Sequence, residues 1–140
     1  MAITYTTDLD GIGPEDMDGF YVGWSSPPAT GERVEILRRS THAVIAMDRT
    51  KVVGFVNALS NGHMAYIPLL EVLPEHQGWG IGTELVKRVI AEIGEQYGVD
   101  TACDDDVLPF YERLGFKRGN AMVLRNYGPT TRANAHPPKG

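Results

Sequence analysis

Gly78, Gly80 and Gly82 alternate within PEHQGWGIG (residues 74–82), between an apolar run, IPLLEVL, and an amphipathic one, TELVKRVIAEI. A strand-to-helix loop of this kind exposes backbone N–H groups at the positive end of a helix dipole, where phosphate binds if no Cβ blocks it. Gln77 and Thr83 add side-chain donors beside the glycines. The spacing excludes two common phosphate loops. Gly82 is followed by Thr83 and Glu84 rather than Lys-Ser/Thr, and the run is G-x-G-x-G rather than G-x-G-x-x-G. A tight turn needing glycine only for positive φ is the alternative. Upstream, Glu71 interrupts an apolar strand, where a carboxylate requires a partner or a wet cleft.

The elements that must carry these residues follow from pattern. Strands are expected over Ile3–Thr7, His42–Met47, Val52–Leu59, Met64–Leu73, Val99–Cys103 and Ala121–Arg125, with Asn61-Gly62 as a hairpin turn. Pro14 opens a short helix through Phe20, and Thr30 caps one carrying Val34, Ile36 and Leu37. Ile81, Leu85, Val89, Ile93 and Tyr97 recur every four residues and predict a long helix ended by Gly98. A last short helix spans Val107 to Leu114, with Asp106 placed to cap it. Hairpin, strand, long helix, strand, short helix and strand together predict an α/β (α+β) fold with one core. Residues 1–127 are expected to form one domain, and the Pro-rich segment 128–140 a flexible tail.

The 140 residues carry a net charge of −5, 42% hydrophobic and 22% charged side chains, as in a soluble globular protein. No clustered Lys/Arg footprint for nucleic acid is evident. The single cysteine, Cys103, excludes an internal disulfide and fits a reducing compartment. No run reaches membrane-spanning length, and no signal peptide opens the chain, so a cytoplasmic location is expected. His42, His63, His76 and His136 lack a second ligand at metal spacing; His63 and His76 read as surface loop residues, and no metal is expected.

The glycine run after a strand ending Val-x-Pro, with PFYERLGF (residues 109–116) downstream, resembles the GNAT superfamily of N-acyltransferases. The match covers about Met64 to Tyr127; the N-terminal half agrees in layout only. The resemblance implies a mixed, mostly antiparallel twisted sheet flanked by about four helices, and acetyl-CoA as cofactor. It implies that Gln77, Gly78, Trp79, Gly80, Ile81, Gly82 and Thr83 hold the pyrophosphate, and that a backbone N–H near Val72 or Leu73 meets the oxyanion. Trp79 departs from the family, which often carries Lys, Arg or Gln there; an indole suits a cover over pantetheine or adenine.

Amide formation in a ternary complex needs a deprotonated amine, an oxyanion donor and a proton for the thiolate. The resemblance assigns the proton donor to Tyr111, whose alternative is core packing with Phe110 and Leu114. It makes Glu71 the base, with a solvent-facing position or a buried Arg partner as the equal alternative. Asp104 and Asp105 are candidates to grip a cationic amine, and Phe20, Tyr21 and Trp24 to line its pocket; an acidic turn and core packing explain them equally. The expected acceptor is a small cationic amine of the polyamine, aminoglycoside or arylalkylamine class. A protein amine, a non-catalytic acyl-CoA-binding module and a different phosphate-ligand protein are the competing readings, and a homodimer is an assembly the family commonly adopts.

Overall fold

The structure, a computed structural model, describes residues 2–126; the tail expected over 128–140, with His136, lies outside them. These residues form two compact units, one of residues 2–22 and 28–102, the other of residues 23–27 and 103–126.

The first unit is built on a six-stranded sheet. Its strands are β1 (Ile3–Thr6), β2 (His42–Asp48), β3 (Lys51–Ser60), β4 (Met64–Ile67), β5 (Leu70–Val72) and β6 (Gly98–Thr101). They run in the order β1-β2-β3-β4-β6, with β5 beside β3. All pairs are antiparallel except β4 with β6. Val52 to Ala58 are all buried, so β3 reads as a continuous apolar run rather than an alternating one.

The expected single strand Met64–Leu73 is divided in two. Pro68 has no N–H for a ladder, and the buried Asn57 fills the gap. Its backbone N–H donates to Leu69 O at 3.1 Å, its Oδ1 accepts from the Leu69 N–H at 3.0 Å, and its Nδ2 donates to Ser40 Oγ at 2.9 Å. The Asn61-Gly62 turn forms as expected, with Asn61 Oδ1 accepting from the N–H groups of His63 and Met64, both at 2.9 Å.

Two α-helices belong to this unit, α1 (Thr30–Arg38) and α2 (Ile81–Ile93). The N-cap of α1 is Ala29, so Thr30 is its first helical residue rather than its cap. The segment from Pro14 forms a 3₁₀ turn over Pro14–Met17 rather than a helix through Phe20. In α2 the stripe Ile81, Leu85, Val89 and Ile93 is buried with Val86, against β2, β3 and β5. Gly94, at φ 77°, ends the helix earlier than the expected stop at Gly98, which instead begins β6. Tyr97 therefore leaves the stripe and stands 80% exposed, stacked on His63. Gly54 allows α2 to lie close: a Cβ there would sit 3.1 Å from both Glu71 O and Leu85 Cδ1.

The second unit carries a 3₁₀ turn over Asp105–Val107 and α3 (Leu108–Arg113). The N-cap position of the turn is Asp104 and that of α3 is Val107, neither with a side-chain cap hydrogen bond, so Asp106 is not the cap of the short helix. The expected strand over Ala121–Arg125 is not formed; these residues have no regular structure and are exposed. Among the described residues no helix is long and apolar enough to cross a membrane. No group of three His, Cys, Asp or Glu side chains able to hold a metal ion occurs among them either.

Candidate functional site

β5 pairs with β3 on one edge only, and β6 pairs with β4 instead, so the other edge of β5 has no strand partner among the described residues. Strand alternation decides which groups face it. The Leu73 N–H donates inward to Val53 O at 2.9 Å. Backbone groups of successive residues point to opposite edges, so Val72 turns its N–H and C=O to the open side. Of the two oxyanion donors considered, Leu73 is therefore engaged in the sheet and Val72 is not.

Glu71 sits on this strand, half-buried. Its Oε1 accepts a hydrogen bond from the Tyr21 N–H at 2.8 Å, whereas Oε2 is buried without a hydrogen-bond partner among the described residues. Burial pushes the carboxyl above the ordinary range, opposed by the Tyr21 N–H and the Arg33 charge. Glu71 lines a cavity of about 310 Å³ with Gly19, Phe20, Leu70, Val72 and Gln77. It is the one ionisable group in that lining. A Cβ at Gly19 would meet Leu73 Cδ2 at 2.9 Å, so the tip of that side chain would have to shift to admit one.

Beyond β5, Pro74–His76 form a 3₁₀ turn and the chain reaches α2 through Gly78 and Gly80, both at φ 82°. That left-handed conformation favours glycine strongly. A Cβ at either position would have no atom within 4 Å, so the space over the loop is open. Gly80 is the N-cap of α2 and offers no side-chain cap to its leading N–H groups. An open backbone cradle at an uncapped helix start suits a pyrophosphate. Gly82 and Thr83 lie in the first turn of α2, and Ile81 buries its side chain, leaving only its backbone for a ligand. The Gln77 amide is already committed, donating to Val72 O at 3.0 Å, and so ties the loop to the open edge of β5. Trp79 is 59% exposed beside His76, with ring centroids 6.2 Å apart. His76 differs from a plain surface residue: its ring is largely buried, with Nε2 3.4 Å from Asp48 Oδ2.

The aromatic cluster divides between the units. Phe20 and Tyr21 are buried against Phe55, at centroid distances of 5.0 and 6.1 Å. Trp24 is 47% exposed and belongs to the second unit. Asp104 and Asp105, also in that unit, are exposed. In PFYERLGF, Tyr111 packs edge-on between Phe110 and Phe116, at 5.0 and 5.2 Å. The N–H groups of Phe116 and Gly115 donate to the carbonyls of Tyr111 and Glu112, and Gly115 adopts φ 94°. This is a Schellman closure with its hydrophobic contact, which gives the segment a physical reason for its Gly-Phe ending.

Two contributors carried no clear signal in the sequence. One is the backbone N–H of Tyr21. The other is Arg33 on α1, whose guanidinium donates to Met17 O at 2.9 Å, Phe20 O at 3.3 Å and Pro28 O at 3.2 Å.

Comparison with known proteins bears on the family and the fold. The acetyltransferase (GNAT) family profile matches residues 9–116. An uncharacterized N-acetyltransferase, ycf52, of Pyropia yezoensis is 30% identical over 103 residues, covering 68% of this chain and 58% of the relative. The chain thus spans less than two thirds of the length of the curated relatives it matches. A Deinococcus radiodurans R1 crystal structure, provisionally described as an acetyltransferase, is 50% identical with a TM-score of 0.84, covering 88% of this chain and 87% of that one. A GNAT family acetyltransferase of Streptococcus pneumoniae TIGR4 is 26% identical with a TM-score of 0.75, covering 91% and 100%.

Proposed function

Because this chain belongs to the GNAT acetyltransferase family, we propose that it transfers an acetyl group from acetyl-CoA to a small primary amine. The observation that carries the reading is Glu71. One carboxylate oxygen is fixed by a peptide N–H and the other is buried without a hydrogen-bond partner among the described residues, in a small cavity beside β5. A buried carboxylate with a raised pKa is suited to take a proton from an alkylammonium.

Acetyl-CoA supplies the activated acyl carbon and a thiolate leaving group. Gly78, Gly80 and the leading N–H groups of α2 hold its pyrophosphate, and the Val72 N–H donates to the developing oxyanion. Glu71 takes the amine proton, directly or through water. Tyr111 is the proposed acid for the thiolate, on the strength of the PFYERLGF motif. The acceptor class is a small cationic amine, with Phe20, Trp24, Asp104 and Asp105 as proposed contacts. A second cavity of about 500 Å³ beside Phe20 and Leu73 is lined by Glu15, Asp16, Asp18 and Glu75 together with Lys51, which pairs with Glu75 at 3.4 Å; the remaining carboxylates support an acceptor with a second positive group.

The test is thiol release from acetyl-CoA across monoamines, polyamines, arylalkylamines and aminoglycosides, with Tyr111→Phe beside the wild type. Turnover on at least one amine, reduced in the variant, is expected. Tight CoA binding without turnover on any amine would instead identify a non-catalytic acyl-CoA-binding module.

A further inference from the structure

We propose that Arg33 is a positioning residue for Glu71, acting through the single peptide plane that joins Phe20 to Tyr21. The proposal rests on the reading of Glu71 as the base.

The Phe20 carbonyl and the Tyr21 N–H are two ends of one peptide unit. Arg33 Nη1 donates to the carbonyl end at 3.3 Å, and the N–H end donates to Glu71 Oε1 at 2.8 Å. A planar trans unit transmits orientation without slack. A cation bound at its oxygen also strengthens the N–H as a donor, because linked hydrogen bonds polarise one another.

The rest of the Arg33 fork holds this plane in place. Nη1 also donates to Met17 O at 2.9 Å, and Nε to Pro28 O at 3.2 Å. The guanidinium carbon lies 4.9 Å from the centroid of the Tyr21 ring. These anchors bracket a residue in an unfavourable conformation, since Tyr21 has φ 65°. Left-handed backbone at a bulky residue is strained and persists only where its surroundings over-determine it.

The charged and titratable groups acting on Glu71 are Arg33 from α1 and the Tyr21 hydroxyl. Burial first, then Glu71, pushes that hydroxyl up to about 12, so it stays neutral over the working range. Arg33 is thus the one cation among them, and lysine cannot replace it. An ammonium carries charge but lacks the planar fork that reaches carbonyls in different directions.

The experiment combines kinetics with NMR on the full chain. Arg33→Met should lower kcat by about 10- to 100-fold, as expected for a misplaced catalytic group, with KM for acetyl-CoA unchanged. Its acid limb in kcat/KM should move to higher pH, because a cation that favours ionised Glu71 is gone. Arg33→Lys should also lose kcat, with a smaller displacement of the acid limb. Folded variants with wild-type kcat and pH profile would overturn the proposal. Should both variants fail to fold, the wild type decides. Its Tyr21 amide resonance should titrate with the Glu71 carboxyl carbon, and this titration should vanish in Glu71→Gln; a Tyr21 amide that ignores Glu71 overturns the proposal. Full turnover in Glu71→Gln would remove the base reading separately, leaving the amide titration to report on the linkage itself.

Discussion

Glu71 has two oxygens in unlike settings, and this asymmetry makes its role testable. If Oε2 receives the amine proton, Glu71→Gln should lower kcat by about 10²- to 10⁴-fold, the usual range for a lost general base. The same carboxyl has a consequence for stability. Its pKa is raised in the folded chain, so the native state holds its proton more tightly than the unfolded state does. That stabilisation is fully present below the unfolded value and is lost as pH rises through the raised folded value. Glu71→Gln should therefore gain stability relative to wild type as pH increases through that window, as measured by urea unfolding at a series of pH values. A variant less active yet more stable at neutral pH is the expected signature.

The loop glycines separate in the same way. Gly80 sits at φ 82°, so Gly80→Ala should cost about 1–2 kcal/mol of stability from left-handed backbone alone. Any loss of CoA binding on substituting Gly80 should therefore come together with a loss of stability. Gly82 is helical, so Gly82→Ala should leave stability equal or raised by up to about 1 kcal/mol. If the first turn of α2 binds pyrophosphate, the affinity of Gly82→Ala for CoA should still fall in a calorimetric titration.

At the scale of elements, the spacing between β3, β5 and α2 depends on one missing methyl. An added Cβ at Gly54 would press on the Glu71 carbonyl, on Leu85 and, at 3.4 Å, on Ile81. The carbonyl is backbone and cannot rotate away. Gly54→Ala should cost about 1–3 kcal/mol as overpacking, and chemical denaturation alongside a CoA titration would register both the strain and a loosened loop. Much of this framework is legible in the sequence. The α2 stripe, the Asn61-Gly62 turn and the glycine loop each follow from local spacing. The break between β4 and β5 is not, because it depends on the Asn57 side chain reaching Leu69 across the sheet. Nor is the Glu71 partner, since a backbone N–H fifty positions away leaves no mark on side-chain pattern. The Gln77 side chain reads as a phosphate donor, but its nearest acceptor turns out to be the Val72 carbonyl.

At the scale of the whole molecule, binding at the loop should tighten the chain against unfolding. With CoA at a hundredfold excess over its Kd, the native state should gain about 2.7 kcal/mol, visible as a higher Tm in a thermal melt. The gain should vanish in a variant that no longer binds CoA. Little of the net charge of −5 bears on this loop, because the cradle is made of backbone groups rather than Lys or Arg side chains.

The open edge of β5 has one more consequence. A strand edge without a partner invites a strand from another molecule, and this is how soluble proteins begin to aggregate. Positions 68, 70, 72 and 74 alternate along this edge, and the outer two are Pro68 and Pro74. Proline has no N–H to offer an incoming chain. The Val72 carbonyl already accepts from Gln77, so an intruding strand would find only Leu70 and the Val72 N–H, too short a ladder to hold. The prolines that bracket β5 thus act as guards, keeping an edge that has no strand partner among the described residues from being presented to other copies of the chain.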